Sequence, residues 1–325
     1  MAGRARGNTE ISSEKRPFHL SILPEAVVEA ASCLNSLAPD AQRVWDGTTG
    51  LAGHLLLLAA AYPKASLYAS DADAEMLKLA RERAGGKITE YRQGNFGENP
   101  FRDKAPFAFI FFDLGISSAH FDFFERGFSF RFDQPLDMRM NAESGISAAR
   151  LLATAEEKEL ARIFFEFGEE KLSRRIAREI VERRKVAPIT TTRELTEICE
   201  HVYPPKYKAK GHADRYPATR VFQALRIAVN GELDALASAL KFAPDQLSVG
   251  GRLAILSFHS LEDRLVKHAF RDRAFIKETD PTAKSNFKPG DYRLVEPGGI
   301  TPNEKEIAEN PRARSARLRI LERIR

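Results

Sequence analysis

Two short apolar runs, each ending in an acid and then a turn of small residues, limit what this chain can fold into. One is Phe107-Ala-Phe-Ile-Phe-Phe-Asp113-Leu-Gly-Ile-Ser-Ser118. The other is Val44-Trp-Asp46-Gly-Thr-Thr-Gly50-Leu-Ala-Gly53-His54. Runs of this length and composition suit strands buried in a parallel sheet. In open sheets of that kind, ligands bind outside the carboxyl ends of the strands, where these turns lie. Two such edges set a nucleotide-like ligand beside a second group able to do chemistry. They point to a cofactor-dependent α/β enzyme.

The surrounding pattern alternates. Arg43–Asp46 reads as a strand, Leu51–Tyr62 as a helix ended by Pro63, Ser66–Ser70 as a strand and Ala74–Ala84 as a helix stopped by Gly85-Gly86. Ile88–Arg92 and Phe107–Asp113 are the third and fourth strands, and Gly251–Phe258 is the fifth. Strands alternating with helices imply a mainly parallel, doubly wound sheet. The fifth strand begins 138 residues after Asp113, far more than a crossover needs. An insertion therefore lies between the fourth and fifth strands. It reads as helices at Ile146–Ala155, Glu156–Phe167, Leu172–Arg184 and Thr192–Val202, with Thr191 and Glu194 spaced as a capping box. Thr219–Leu240 reads as one long amphipathic helix returning to the sheet. Residues 278–303 read as a long loop, and Ala316–Ile324 as a last edge strand. The expected organisation is a disordered tail over 1–16, a discontinuous core over 17–120 and 216–325, and a helical insertion over 121–215.

The chain has 325 residues, and no apolar run approaches the roughly 18 needed to cross a bilayer. Cys33 and Cys199 lie far apart and form neither a disulfide framework nor a zinc motif. A soluble cytoplasmic protein without a bound metal is expected. The net charge of +5 is a moderate signal for a polyanionic partner. Arg174, Arg175, Arg178, Arg183, Arg184 and Lys185 cluster on one helix, and Lys206, Lys208, Lys210 and Arg215 follow. A solvated helix face balanced by Glu179 and Glu182 is the plainer reading.

The Asp46–Gly53 turn follows a strand and opens a helix, so its backbone can approach a ligand closely. Its spacing is not GxGxxG, which disfavours a nicotinamide dinucleotide. Asp71 ends the second strand, where an acid accepts hydrogen bonds from ribose hydroxyls; Asp73 is its rival, with helix capping as the alternative role. Phe96 follows the third strand and suits either adenine packing or the core. Asp113 must emerge at the sheet edge, because an unpaired buried charge is costly. It either caps backbone amides or faces substrate and cofactor, with Ser117 and Ser118 adding hydroxyls. Phe121, Phe123, Phe124, Phe128, Phe130 and Phe132, interleaved with Arg126 and Arg131, suit either base stacking and phosphate contact or a self-packed loop. Asp137 and Arg139 are spaced as an ion pair. His259 leaves the fifth strand at the same edge, as a group acting on substrate or as a structural hydrogen-bonder.

Several longer motifs carry a family resemblance from His19 nearly to the C-terminus. They are Glu125-Arg-Gly-Phe-Ser-Phe130, Pro135-Leu-Asp-Met-Arg-Met140, Pro217-Ala-Thr-Arg220 with Phe222-Gln-Ala-Leu-Arg-Ile227, Ser257-Phe-His-Ser-Leu-Glu-Asp-Arg264 and Asn310-Pro-Arg-Ala-Arg-Ser315. In these the chain resembles the bacterial ribosomal RNA small-subunit methyltransferase H family, also called MraW. The resemblance implies a class I, Rossmann-like S-adenosylmethionine methyltransferase sheet with a helical insertion domain. It implies N4-methylation of a cytidine in the decoding, P-site region of 16S rRNA, within the small ribosomal subunit, and leaves a homodimer open. By motif position the cofactor contacts would fall on Ala52, Gly53, His54, Asp71, Phe96, Asp113 and His120; the strand-end positions of Asp113, Ser117 and His259 make them the candidate catalytic groups. The family usually has Gly-Arg-Gly-Gly-His where this chain has Gly50-Leu-Ala-Gly-His54, and Ser-Pro-Gln where it has Ser118-Ala-His120. The rival readings are an amino-group methyltransferase acting on DNA or another RNA, and an RNA-binding assembly factor with weak or lost transfer.

Overall fold

A computed structural model describes residues 21–116, 125–204, 216–278 and 287–325. The N-terminal tail, Ser117, Ser118, His120, Phe121, Phe123, Phe124 and the basic run at 206–215 lie outside these residues.

The core is a seven-stranded sheet in the order β3-β2-β1-β4-β5-β9-β8. Its strands are β1 (Arg43–Asp46), β2 (Ser66–Asp71), β3 (Glu90–Gln93), β4 (Phe107–Asp113), β5 (Leu247–Ser257), β8 (Tyr292–Leu294) and β9 (Arg317–Arg323). Strands β1 to β5 pair in parallel, and β9 alone is reversed, pairing antiparallel with both β5 and β8. This is the class I methyltransferase arrangement. The order reverses between β1 and β4, so the crevice at their carboxyl ends is the place for a ligand. Every residue of β4 from Phe107 to Phe112 is fully buried, because helices cover both faces of the sheet.

One face packs on α1 (Pro24–Ala30), α2 (Gly53–Ala61) and α3 (Ala74–Ala84), through Val27, Leu55, Leu58, Ala80 and Phe109. The other packs on α9 (Glu232–Phe242) and α10 (Ser260–Ala274), where Trp45, Phe112, Leu236 and Phe270 meet. Trp45 donates its indole N–H to Ser70 Oγ at 2.9 Å and meets Phe112 edge-on at 5.2 Å between centroids.

The insertion follows β4. Helices α4 (Ala148–Thr154), α5 (Glu157–Glu166), α6 (Ser173–Arg184) and α7 (Thr192–Val202) form a separate apolar cluster, and α8 (Pro217–Asn230) joins it through Val221, Phe222 and Leu225. The capping box of Thr191 and Glu194 is present as expected.

Three expectations need correction. The long return helix is two helices, α8 and α9, broken at Gly231 with φ 60. Both halves are amphipathic, so apolar spacing alone does not show the break. The loop over 278–303 contains two strands: β7 (Phe287–Pro289), which pairs with β6 (Phe275–Lys277) just before the loop, and β8, which joins the main sheet. The C-terminal strand β9 is consequently an inner strand, with β8 outside it and the Arg293–Glu322 ion pair across them at 2.9 Å.

The break gives a test by sign. In a continuous helix, Gly231→Ala stabilises by roughly 0.5–1 kcal/mol. At a left-handed position it destabilises by about 1 kcal/mol, and a fall in the denaturation midpoint is expected.

Candidate active site

At the reversal point a cleft of about 700 Å³ opens between the sheet edge and the insertion. That size suits a cofactor with part of a substrate. The sheet supplies Asp46, Thr48, Gly53, His54, Asp71, Phe96 and Asp113; the insertion side supplies Met140, Thr219, Arg226 and Asn230.

The Gly-rich turn is built into the core. A Cβ on Gly47 would collide with the Phe112 ring and come within 2.9 Å of Phe96, so only glycine lets the turn sit down on these aromatics. Asp71 steadies the turn from β2: its carboxylate accepts Gly50 N at 2.8 Å and Asp73 N at 2.9 Å. Asp73 caps α3 by accepting Glu75 N at 2.9 Å. The two acids thus divide the roles the sequence left open, Asp71 lining the cleft and Asp73 holding a helix end. Phe96 lines the cleft and packs on Phe112 with centroids 5.0 Å apart.

Asp113 lies where β4 meets the cleft, about a quarter exposed at 23%. Its backbone N–H donates to Thr48 Oγ1 at 2.6 Å. His54 Nδ1 is 3.3 Å from Asp113 Oδ2, and His54 Nε2 is 2.9 Å from the Ile22 carbonyl oxygen. A carbonyl and a carboxylate both accept, so the ring meets them best with a proton on each nitrogen. Burial pulls the His54 pKa down, but the hydrogen bond and charge of Asp113 outweigh it and the net shift is upward. Among the described residues the second Asp113 oxygen has no partner.

Asp46 is the acid that sequence reasoning placed in the turn but gave no role. It is buried beneath the turn and accepts Thr48 N at 3.0 Å. Burial pushes its pKa up to about 7, with the hydrogen bond from the Thr48 amide and the charge of His54 acting against it and the neighbouring charges of Asp113 and Asp71 acting in the same direction.

The other expected residues are placed as follows. Gly53 and His54 line the cleft. Ala52 does not: it is fully buried at the cap of α2, with φ 57, and its N–H donates to Thr49 O at 2.7 Å. His259 caps α10 in a capping box with Glu262, its Nε2 3.1 Å from Glu262 Oε1, and it is Glu262 that lines the cleft. Ser117 and His120 are among the residues not described. Glu232, His259 and Glu262 stand close enough to share a metal, but Arg226 already engages Glu232, and His259 and two backbone amides engage Glu262.

Arg126 does not present itself to a phosphate. It donates to Asp73 at 2.8 Å, to Glu75, and to the Met140 carbonyl at 2.9 Å, latching the segment before α4 onto the start of α3. Phe128 is buried and Phe130 stacks on Tyr216 at 4.9 Å, so the self-packed reading holds for both, while Phe132 is exposed. Asp137 and Arg139 pair at 2.7 Å as expected. On α6, Arg183 and Lys185 pair with Glu179 and Glu182, Arg184 binds the Leu152 and Ala155 carbonyls, and Arg174, Arg175 and Arg178 face solvent.

With this geometry in place, comparison with known proteins decides the family. A family model described as the MraW methylase family matches residues 17–324. The chain belongs to that family. Proteins named ribosomal RNA small subunit methyltransferase H are similar throughout. The one from Picosynechococcus sp. is 46% identical, covering 94% of this chain and 96% of its own, and the one from Trichormus variabilis is 44% identical, covering 96% and 94%. Among solved structures, an rRNA methylase from Streptococcus thermophilus aligns over 97% of this chain and 100% of its own, at 14% identity and a TM-score of 0.39. A member of the MraW methylase family is a methyltransferase, and its cofactor is S-adenosylmethionine. The cleft fits that group: the Gly47 turn allows close backbone approach, Asp71 lines the cleft at the carboxyl end of β2 and Phe96 offers a flat face. No helix among the described residues is long and apolar enough to cross a membrane.

The buried acid and histidine set a pH dependence. Asp46 holds its proton in the folded state up to about pH 7 but loses it near 4 when unfolded, so the folded state binds more protons between those values and stability falls as pH rises through that window. His54, with its pKa raised, adds stability that is present at low pH and is lost as pH rises through its folded value. Asp46→Asn keeps the acceptor for Thr48 and removes the buried charge. Its melting temperature relative to the parent is expected to be higher at pH 8 than at pH 5; a difference that does not change with pH would refute the linkage.

Proposed function

We propose that this chain transfers a methyl group to the exocyclic N4 amine of a cytidine in the decoding, P-site region of 16S rRNA, within the small ribosomal subunit. The names of its relatives support rRNA as substrate. The observation that carries the chemistry is Asp113, one oxygen held by His54 and the other open to a cleft shared by the sheet and the insertion.

When bound, S-adenosylmethionine supplies an electrophilic methyl on its sulfonium. Asp71 and Phe96 would hold its adenosyl part, and the turn from Gly47 to Gly53 would line its other side. The target base enters between sheet and insertion, unstacked from its RNA. Its amine is a weak nucleophile, because the nitrogen lone pair is delocalised into the ring. The open oxygen of Asp113 accepts an amino hydrogen and turns the nitrogen towards the methyl. His54 keeps that carboxylate from rotating. Transfer then depends on positioning of the two reactants; the nitrogen–methyl bond replaces the sulfonium–methyl bond, the demethylated cofactor leaves as a neutral thioether, and the Asp113 carboxylate takes up the proton that the nitrogen sheds. In this reading Ser117 assists in orienting the amine, and His259 acts through Glu262.

Asp113→Ala at saturating cofactor is expected to lower turnover by roughly 100-fold or more, the scale of losing a group aimed at the reacting centre. Near-parental turnover would remove Asp113 from the mechanism. The substrate is tested by transfer of labelled methyl to unmodified 30S particles, naked 16S rRNA and duplex DNA, followed by nucleoside analysis. N4-methylcytidine from a ribosomal substrate alone is expected; label in DNA, or on another nucleoside, would overturn the proposal.

A further inference from the structure

The helical side of the cleft carries a charged pair that the mechanism above does not use. Arg226 stands one turn before the end of α8 and Glu232 in the first turn of α9, and both line the cleft. The break at Gly231 turns the chain so that the two side chains meet side-on, Nε to Oε1 at 2.8 Å and Nη2 to Oε2 at 2.8 Å. They are only 17% and 11% exposed. Asn230 pins the same helix end by donating to the Arg226 carbonyl at 2.9 Å and to the Met138 carbonyl at 2.8 Å.

A guanidinium has five N–H donors in a fixed plane. Glu232 takes two of them. Among the described residues nothing takes the remaining three, which include one N–H each of Nη1 and Nη2 lying parallel along the far edge. Burying a charged pair is costly, and an apolar pair would close a helix junction at least as well. A buried guanidinium aligned by one carboxylate, its outer edge unclaimed on the wall of a cleft, is a recognition device for two adjacent acceptors.

We propose that this outer edge of Arg226 is the binding site for the target pyrimidine, donating a fork of hydrogen bonds to O2 and N3 of a cytosine. The proposal rests on the cytidine reading above and names the group that selects the base. Cytosine presents O2 and N3 as neighbouring acceptors, with the N4 amine next to them and left open for methylation. Uracil presents a donor at N3, which would face the fork, and adenine has no carbonyl. Arg226 thus explains how a cleft that methylates amines admits one kind of amine-bearing base. Glu232 is a positioning residue that acts through Arg226.

The test is equilibrium binding of cytidine and uridine 5′-monophosphate to the full-length protein, with transfer to unmodified 30S particles measured alongside. Two variants are needed. Arg226→Lys keeps the charge but loses the planar fork. Arg226→Gln combined with Glu232→Gln leaves no buried carboxylate without its partner. The parent protein is expected to prefer the cytidine nucleotide by roughly tenfold or more, the scale of a bidentate base contact. Both variants should lose that preference and raise KM for 30S particles by roughly 10- to 100-fold, while affinity for S-adenosylhomocysteine and the melting temperature hold. A cytidine preference that survives in a folded variant, or an unchanged KM, would overturn the proposal. A parent protein that prefers cytidine through Arg226 yet methylates no rRNA would support the subsite and sink the rRNA reading instead.

Discussion

A strand of six fully buried apolar residues that ends in a carboxylate must bring that charge to a place where it can be tolerated. Here the place is the reversal point of the sheet, and the partner is a buried histidine. His54 spans from Asp113 to the Ile22 carbonyl, so one ring ties together β4, the start of α2 and the segment leading into α1. The Gly-rich turn, the cleft and the N-terminal segment are arranged around this clamp. Asp46 and Asp71 add two further acids within electrostatic reach of one another, and the charges of Asp71 and Asp113 add to the burial that pushes the Asp46 pKa up.

What was legible in the sequence follows from how local the cause is. Strands β1 and β4 were readable because burial on both faces demands continuous apolar runs, and the Thr191 cap because its partner lies three residues away. Long-range causes were not. Nothing local reveals that His54 reaches a backbone carbonyl 32 residues earlier, or that Arg126 finds Asp73 53 residues before it. Arg126, set among phenylalanines, has the look of a phosphate ligand until the fold gives it a carboxylate. The break at Gly231 hid for another reason: α8 and α9 both present apolar stripes, and a single Asn-Gly step is easily absorbed into one pattern. The residues missed for the site, Arg226, Glu232 and Glu262, lie beside such breaks and caps, where propensity alone suggests a structural duty.

The departure from the usual family motif at Ala52 is accommodated without changing the architecture. Ala52 adopts the left-handed conformation that the usual glycine would take with less strain, at a cost on the order of 1 kcal/mol. Its methyl is fully buried in the apolar cluster under α2, which offsets part of that cost.

The Arg126 latch bears on how such enzymes can be rebuilt. The helical insertion has its own apolar cluster and, by packing alone, is a module to exchange between relatives. Yet the segment that leads into it is fastened to Asp73 and Glu75 at the start of α3, which follows β2 on the other side of β4. A graft that carried the insertion without those two acids would strand a guanidinium that is only 14% exposed. The unit of exchange in this fold is therefore larger than the unit of packing: it reaches back across β4 to the first turn of a helix some fifty residues earlier in the chain.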